Sequence, residues 1–191
     1  MKNLLPFDGE AHYQPLFLSE SEALNSKLTL QQQVQWQPDE VVVFGKKHIM
    51  DRQTAWYGNQ SFTYTYSKKA RTALPWTPEL LVIKQKVEQA CETRFNCCLL
   101  NWYPNGNSGM GWHADNEPTL VPHAPIASVS LGASRKFVFK HNKLLQKIDL
   151  VLDNGSLLLM KGNTQTFWKH SLPKSLKISE DRINLTFRVF R

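Results

Sequence analysis

Apolar positions follow two periods along this chain, and the change from one to the other marks the elements. From residue 97 onward, short runs rich in Val, Ile, Leu, Phe and Thr recur: Cys97–Tyr103, Pro125–Leu131, Arg135–His141, Ile148–Leu152, Leu157–Lys161, Gln165–His170 and Arg182–Phe190. Asn105-Gly106, Asp153-Asn154-Gly155 and Gly162-Asn163 punctuate them. Apolar runs of this length bounded by turn formers read as strands. Upstream, Leu80, Ile83, Val87, Ala90 and Cys91 recur at helical spacing. Thr77-Pro78-Glu79 opens that helix with a cap, a proline at the first helical position and an acid at the positive end, and it runs to about Cys91.

After an irregular start, Ser19 and Glu22 have capping-box spacing and predict a short helix carrying Ala23, Leu24 and Leu28. Val34–Trp36 and Val41–Phe44 read as strands. Gly45-Lys46 makes a tight turn before 47–50 returns, which puts Phe44 at a hairpin tip. Phe62, Tyr64 and Tyr66 form an aromatic row, because side chains two apart in a strand share a face. Helices first and many short strands afterwards predict a mixed α/β, mainly β fold: a two-sheet, double-stranded β-helix (jelly-roll) core with flanking N-terminal helices.

Bulk properties narrow the classes. The 191 residues fit one domain, with 41% hydrophobic and 11% aromatic residues as in an ordinary globular protein. A net charge of +7 favours a polyanionic partner such as nucleic acid, although a solvated basic surface has the same composition. The start of the chain lacks a signal-peptide pattern and no apolar run approaches a membrane span, so the expectation is a protein that is neither secreted nor membrane-bound. Cys91, Cys97 and Cys98 have no CxxC spacing and read as reduced structural thiols.

Candidate chemistry concentrates in two segments. His113-Ala-Asp115 follows the Gly-rich run Gly106–Gly111, which lets the backbone bend, and residues i and i+2 of an extended segment can reach one ion. A third ligand must come from elsewhere: His170, at the end of a strand-like run before Ser171-Leu-Pro173, is favoured over His123 and His141. Two histidines and a carboxylate suit a non-haem Fe(II) oxygenase, and they equally suit a zinc hydrolase with an open water position.

The C-terminal strand separates those options. Arg182, Asn184, Thr186 and Arg188 alternate with Ile183, Leu185 and Phe187, giving one polar and one apolar face. Turned into a jelly-roll interior, the two arginines would need anions, which a dicarboxylate supplies in the two-pronged geometry that guanidinium favours. Asn101 and Tyr103 also share a face and can add hydrogen bonds.

Taken together, Asn101-x-Tyr103, Gly106, His113-x-Asp115, His170 and Arg182-x-Asn184-x-Thr186-x-Arg188 resemble the AlkB family of Fe(II)- and 2-oxoglutarate-dependent nucleic-acid dealkylases. Pro125–Gly132, Phe137–His141 and Gly155–Leu159 add to the likeness, which is greatest to the duplex-DNA-repair branch. The resemblance implies that His113, Asp115 and His170 are the iron ligands and that Asn101, Tyr103, Arg182, Asn184, Thr186 and Arg188 bind 2-oxoglutarate. It implies Arg182 on the distal carboxylate and Arg188 near the one that chelates iron. Tyr64 and Tyr66 match pocket aromatics that hold a flipped base, Asn116 and Glu117 match substrate-facing positions, and Phe44 matches an apolar finger that fills the gap in the duplex.

By the same resemblance, 1–191 is a single dioxygenase domain, with 1–75 an N-terminal extension and nucleotide-recognition lid and 76–191 the helix plus jelly-roll catalytic core. The implied reaction is oxidative demethylation of 1-methyladenine and 3-methylcytosine type lesions, with O2 consumed and formaldehyde, succinate and CO2 released. The implied partner is alkylated DNA, single- or double-stranded, with RNA as a further substrate, acted on by a monomer in a bacterial cytoplasm or a eukaryotic nucleus. One departure bears on the strand state: the connection His141–Lys147 is shorter than the basic loop of the duplex-specific branch. The alternatives are a dioxygenase of the same fold acting on RNA or a protein side chain, and a non-catalytic nucleic-acid-binding jelly roll.

Overall fold

A computed structural model of the chain describes residues 2–43, 46–60, 63–66 and 69–191, with backbone alone for 41–43, 46–47, 63–66 and 69–71. In chain order the elements are β1 (Glu10–Gln14), α1 (Glu20–Gln33), β2 (Gln37–Val43), β3 (Lys46–Gly58), β4 (Thr63–Tyr66), β5 (Lys69–Thr72), α2 (Pro78–Cys91), β6 (Cys97–Tyr103) and β7 (Met110–His113). There follow β8 (Ile126–Gly132), β9 (Arg135–His141), β10 (Lys147–Leu152), β11 (Ser156–Lys161), α3 (Thr164–Phe167), β12 (Trp168–Leu172) and β13 (Arg182–Arg188).

Seven strands form one antiparallel sheet in the order β1-β11-β8-β13-β6-β3-β2, and four form a second in the order β10-β9-β12-β7. Between the sheets lie Tyr103, Ile126, Leu158 and Met160 from the large one and Phe137, Phe139, Leu152, Trp168 and Leu172 from the small one. The other face of the large sheet carries Leu100, Val129, Leu131, Ile183, Leu185 and Phe187 against Leu30, Leu80, Ile83 and Val87 of α1 and α2. This is a jelly-roll core with helices outside, and it explains why every residue of β13 is buried: its apolar face meets the helices, its polar face the space between the sheets. A strand covered on both sides is the most precise place to mount charged groups, since neither face can shift without opening a core.

Both helices start as expected. Ser19 and Glu22 form a reciprocal capping box, and Thr77 accepts from the Leu80 N–H with Pro78 in the first turn. Their buried stripes differ from the expected ones. In α1 it is Ala23, Ser26 and Leu30 that are buried, while Leu24 and Leu28 are exposed. The reason is anchoring: the Lys27 ammonium and the Gln31 amide both donate to Asp181, fixing the rotation of the helix over the sheet. In α2 Ala90 is exposed and Glu88 is buried instead, because its carboxylate accepts from Lys84, Arg94 and the Phe95 N–H.

Three strand expectations need correction. Val34–Trp36 is the exit of α1, where the Val34 N–H and the Trp36 indole N–H both donate to the Leu30 carbonyl, and β2 begins only at Gln37. Residues 165–167 belong to the single turn α3, closed by Thr166 and Phe167 N–H groups donating to the Asn163 carbonyl, so β12 starts at Trp168. The start of the chain is not irregular throughout: Glu10–Gln14 is an edge strand paired with β11, and the Ala11 N–H also donates to the Asn3 side chain. Residues 1–75 therefore supply β1, β2 and β3 to the main sheet, and β4 pairs with β5 as a separate hairpin. Phe44 and Phe62 lie outside the described residues, as do the side chains of Tyr64 and Tyr66.

Candidate active site

Strand pairing brings the two histidines together. His113, the last residue of β7, is directly opposite His170 of β12, with ring centroids 4.3 Å apart. Asp115 lies two residues past the end of β7, where its N–H donates to Oε1 of Gln165 on α3 at 2.9 Å. One ligand atom from each of His113, Asp115 and His170 falls within 4.8 Å of the others. His123 and His141 are elsewhere. His123 is near the Gly162 carbonyl, and His141 is packed among Phe7, Phe167 and Trp168, where it accepts from the Leu144 N–H.

Each ligand candidate is held from behind. A carbonyl can only accept, so Nδ1 of His113 donates to Gly111 at 2.8 Å, and Nε2 is the nitrogen left for a metal. His170 is stacked on Phe137 at 5.3 Å and is buried. Burial, with His113 and Arg188 adding to it against Asp115, pulls it down to about 3, so it is neutral and available as a ligand at pH 7. Burial pushes Asp115 up, yet Arg188 and the two histidines outweigh it and hold the carboxyl below its ordinary value.

The polar face of β13 lies beside this cluster. Register sets Arg182 opposite Tyr103 and Asn184 opposite Asn101, so all four share the inner face with Thr186 and Arg188. They line one cavity with the His-Asp-His group, walled by Leu99, Met110, Phe137, Met160 and Leu172. Asn184 donates to Ser128 Oγ at 2.8 Å and to the Val129 carbonyl at 3.0 Å, and accepts from Thr186 Oγ1 at 3.2 Å. Arg182 donates through Nη2 to Ser130 Oγ at 2.9 Å, while its Nε and Nη1 are buried with no partner among the described residues. Burial lowers it to about 10, Tyr103 opposing and Arg135 adding to the effect. A buried guanidinium with two idle donors is an expensive arrangement unless an anion such as a carboxylate completes it.

Other expected residues fall around this cavity. Asn116 is exposed and Glu117 half-buried, both bordering a neighbouring cleft, and Glu117 also reaches a third cavity of about 180 Å³. That cavity opens onto His113, Asp115 and Arg188 and contains a buried ion pair that sequence reasoning missed, Arg52 with Asp39, together with Trp56. The available signal was Pro38, since proline inside a strand marks an edge or a bulge, and the β2–β3 register shifts between Pro38 and Glu40. Gln165 and the serines beneath Arg182 and Asn184 were also missed; nothing in their local sequence distinguishes them.

The model of the 2OG-Fe(II) oxygenase superfamily matches residues 10–188. The chain belongs to this superfamily. Among curated relatives it is 41% identical over 156 residues to the DNA oxidative demethylase ALKBH2 of Mus musculus, covering 78% of this chain and 65% of that protein. It is 42% identical to the Homo sapiens ALKBH2 over 78% of this chain and 60% of that protein. It is 40% identical to the alpha-ketoglutarate-dependent dioxygenase alkB homolog 3 of Bos taurus over 72% of this chain and 51% of that protein. The chain thus spans half to two thirds of the length of these relatives. The solved structure of OsALKBH1 superposes with a TM-score of 0.66 at 16% identity, covering 93% of this chain and 97% of that one, which shows the shared fold. The donor set fits both groups in the superfamily's name: two histidines and a carboxylate for Fe(II), and the buried, incompletely paired guanidinium of Arg182 for a carboxylate of 2-oxoglutarate.

Proposed function

We propose that the chain is an Fe(II)- and 2-oxoglutarate-dependent dioxygenase that removes N-alkyl groups from bases in DNA, working as one domain over residues 1–191. In this reading His113, Asp115 and His170 hold the iron. Arg182 would take the distal carboxylate of 2-oxoglutarate through its unmatched N–H donors, and Arg188 would lie nearer the iron ligands. Tyr103 and Asn101 orient the cosubstrate from the facing strand, and Asn184 and Thr186 complete the polar floor. The observation that carries the cosubstrate assignment is the buried Arg182, with two unmatched donors, in the same cavity as the metal cluster.

Iron, 2-oxoglutarate and O2 together supply the oxidant, and the N-alkyl carbon is hydroxylated before it leaves as an aldehyde, freeing the repaired base. The chain's own part is to hold the reactants and exclude water: Phe137, Met160 and Leu172 wall the inner cavity. The base must leave its stack to enter. Tyr64 and Tyr66 are read as the faces that replace stacking, Asn116 and Glu117 as groups reading the base, and Phe44 as the wedge left in its place. DNA is favoured by the likeness to two groups of relatives named for DNA demethylation and alkB-type dioxygenation, with RNA a further substrate of a monomeric enzyme.

The test is to incubate the protein with Fe(II), 2-oxoglutarate and oligonucleotides carrying 1-methyladenine or 3-methylcytosine, and to weigh the products. Loss of one methyl group, abolished by His113→Ala, is the expected result. Retention of the methyl group on single-stranded and duplex DNA alike would overturn the reading.

A further inference from the structure

Three guanidinium groups surround one phenol ring. The central carbons of Arg182, Arg135 and Arg52 lie 5.5, 5.9 and 5.9 Å from the centre of the Tyr103 ring, within cation–π reach. Their charges are met differently. Arg52 has a counter-ion in Asp39. Arg182 has one hydroxyl, Ser130 Oγ, and two unmatched nitrogens. Arg135, buried at the start of β9, donates to backbone carbonyls: Nη1 to Asn105 at 3.3 Å, and Nη2 to Gly106, Ser108 and Pro173 at 3.4, 2.8 and 3.0 Å. Its Nε is unmatched as well. Among the described residues neither Arg135 nor Arg182 has a carboxylate partner.

Carbonyl dipoles solvate a guanidinium and leave its charge standing. Two buried cations beside one ring therefore give the cavity a positive end that no carboxylate of the described residues pairs with, a costly state that an anion relieves. The two also repel one another, since Arg135 is among the causes that lower Arg182. Tyr103 and Arg182 line the cavity and Arg135 does not, so Arg135 reaches a ligand there by its field rather than by contact. Such a field discriminates by charge. It favours an anionic group placed beside Arg182, at the opposite end from the metal cluster and Arg188.

We propose that Arg135 is a positioning residue for the cosubstrate that acts through charge: together with Arg182 it selects a 2-oxo acid that carries a second, distal carboxylate. The inference rests on the reading of Arg182 as the residue for that carboxylate and adds a second cation to it. At an effective dielectric of about 20, a unit charge roughly 10 Å away changes the affinity for an anion about ten-fold.

The test measures the value of the distal carboxylate. Binding of 2-oxoglutarate and of 2-oxopentanoate, which has the same chelating end and no distal carboxylate, is followed by calorimetry on the Mn(II)-loaded protein. The ratio of the two Kd values should be at least about 100 in the parent. Arg135→Met should lower it roughly ten-fold. Arg135→Lys, which keeps the charge and loses most of the carbonyl contacts, should hold it within three-fold of the parent. Mn(II) affinity should stay within two-fold in both variants.

An unchanged ratio in Arg135→Met would overturn the inference and leave the cosubstrate reading standing. Equal falls in Arg135→Met and Arg135→Lys would also overturn it, because the carbonyl contacts and not the charge would then be responsible. Should Arg135→Met fail to fold, the parent and Arg135→Lys still decide: a parent ratio under ten, or a ten-fold fall in Arg135→Lys, counts against the role. A parent that binds neither acid sinks the reading of Arg182 itself, and this inference with it.

Discussion

Nη2 of Arg188 donates to Oδ1 of Asp115 at 2.6 Å, with both groups buried, so the last strand of the fold holds the carboxylate of the ligand loop. Asp115 is outside any strand, fixed on one side by Gln165 and on the other by this guanidinium. Groups that orient a ligand from behind typically contribute 10- to 100-fold to metal affinity. Arg188→Ala is therefore expected to weaken Mn(II) binding, measured by calorimetry, by roughly that factor and to lower kcat with it.

Arg182 acts at the far end of the cavity. Lysine there keeps the charge and loses the fork, so Arg182→Lys should raise the KM for 2-oxoglutarate about 10- to 100-fold, the cost of one to two charge-assisted hydrogen bonds. Mn(II) affinity of the same variant should stay within two-fold of the parent, because Ser130 and Tyr103, rather than the ligands, are its neighbours.

The regular parts of this arrangement were legible in the sequence. The alternation in 182–188 gave the strand and its polar face, and Thr77-Pro78-Glu79 gave the start of α2. Short-range pattern could not tell that both faces of β13 are covered, since that depends on two helices and a second sheet meeting it from opposite sides. It also mistook the apolar residues of α1 that matter, because Asp181, far along the chain, sets the helix rotation through Lys27 and Gln31. Among site residues, His113, Asp115 and His170 were readable as a set only through chemistry, whereas Arg52, Asp39 and Gln165 reach the cavities by way of a bulge and a single helical turn that leave no periodic trace.

Glu88 gives the fold a measurable pH dependence. Burial raises its pKa, but Lys84, the Phe95 N–H and Arg94 together outweigh burial and leave the carboxyl below its ordinary 4.5. A depressed folded-state pKa contributes stability that is present above the unfolded value and lost as pH falls through the folded one. Glu88→Gln should therefore cost about 1–3 kcal/mol in urea unfolding at pH 7. The gap to the parent should narrow as the pH is taken below 4.5.

The Asp39–Arg52 pair is buried on a cavity wall. Removing one partner strands the other, so Asp39→Asn should cost about 3–5 kcal/mol in urea unfolding, while Asp39→Leu combined with Arg52→Met should recover most of it. A double-variant loss equal to the sum of the two single-variant losses would show that the charges are not coupled.

The proposed reaction is tested most directly by its stoichiometry. Succinate, formaldehyde and repaired base are counted in one reaction with Fe(II), 2-oxoglutarate, O2 and a single-stranded oligonucleotide carrying 3-methylcytosine. The three products should rise together in equal amounts, and none should form with His113→Ala. Succinate that accumulates while the methyl group stays on the base would contradict the account.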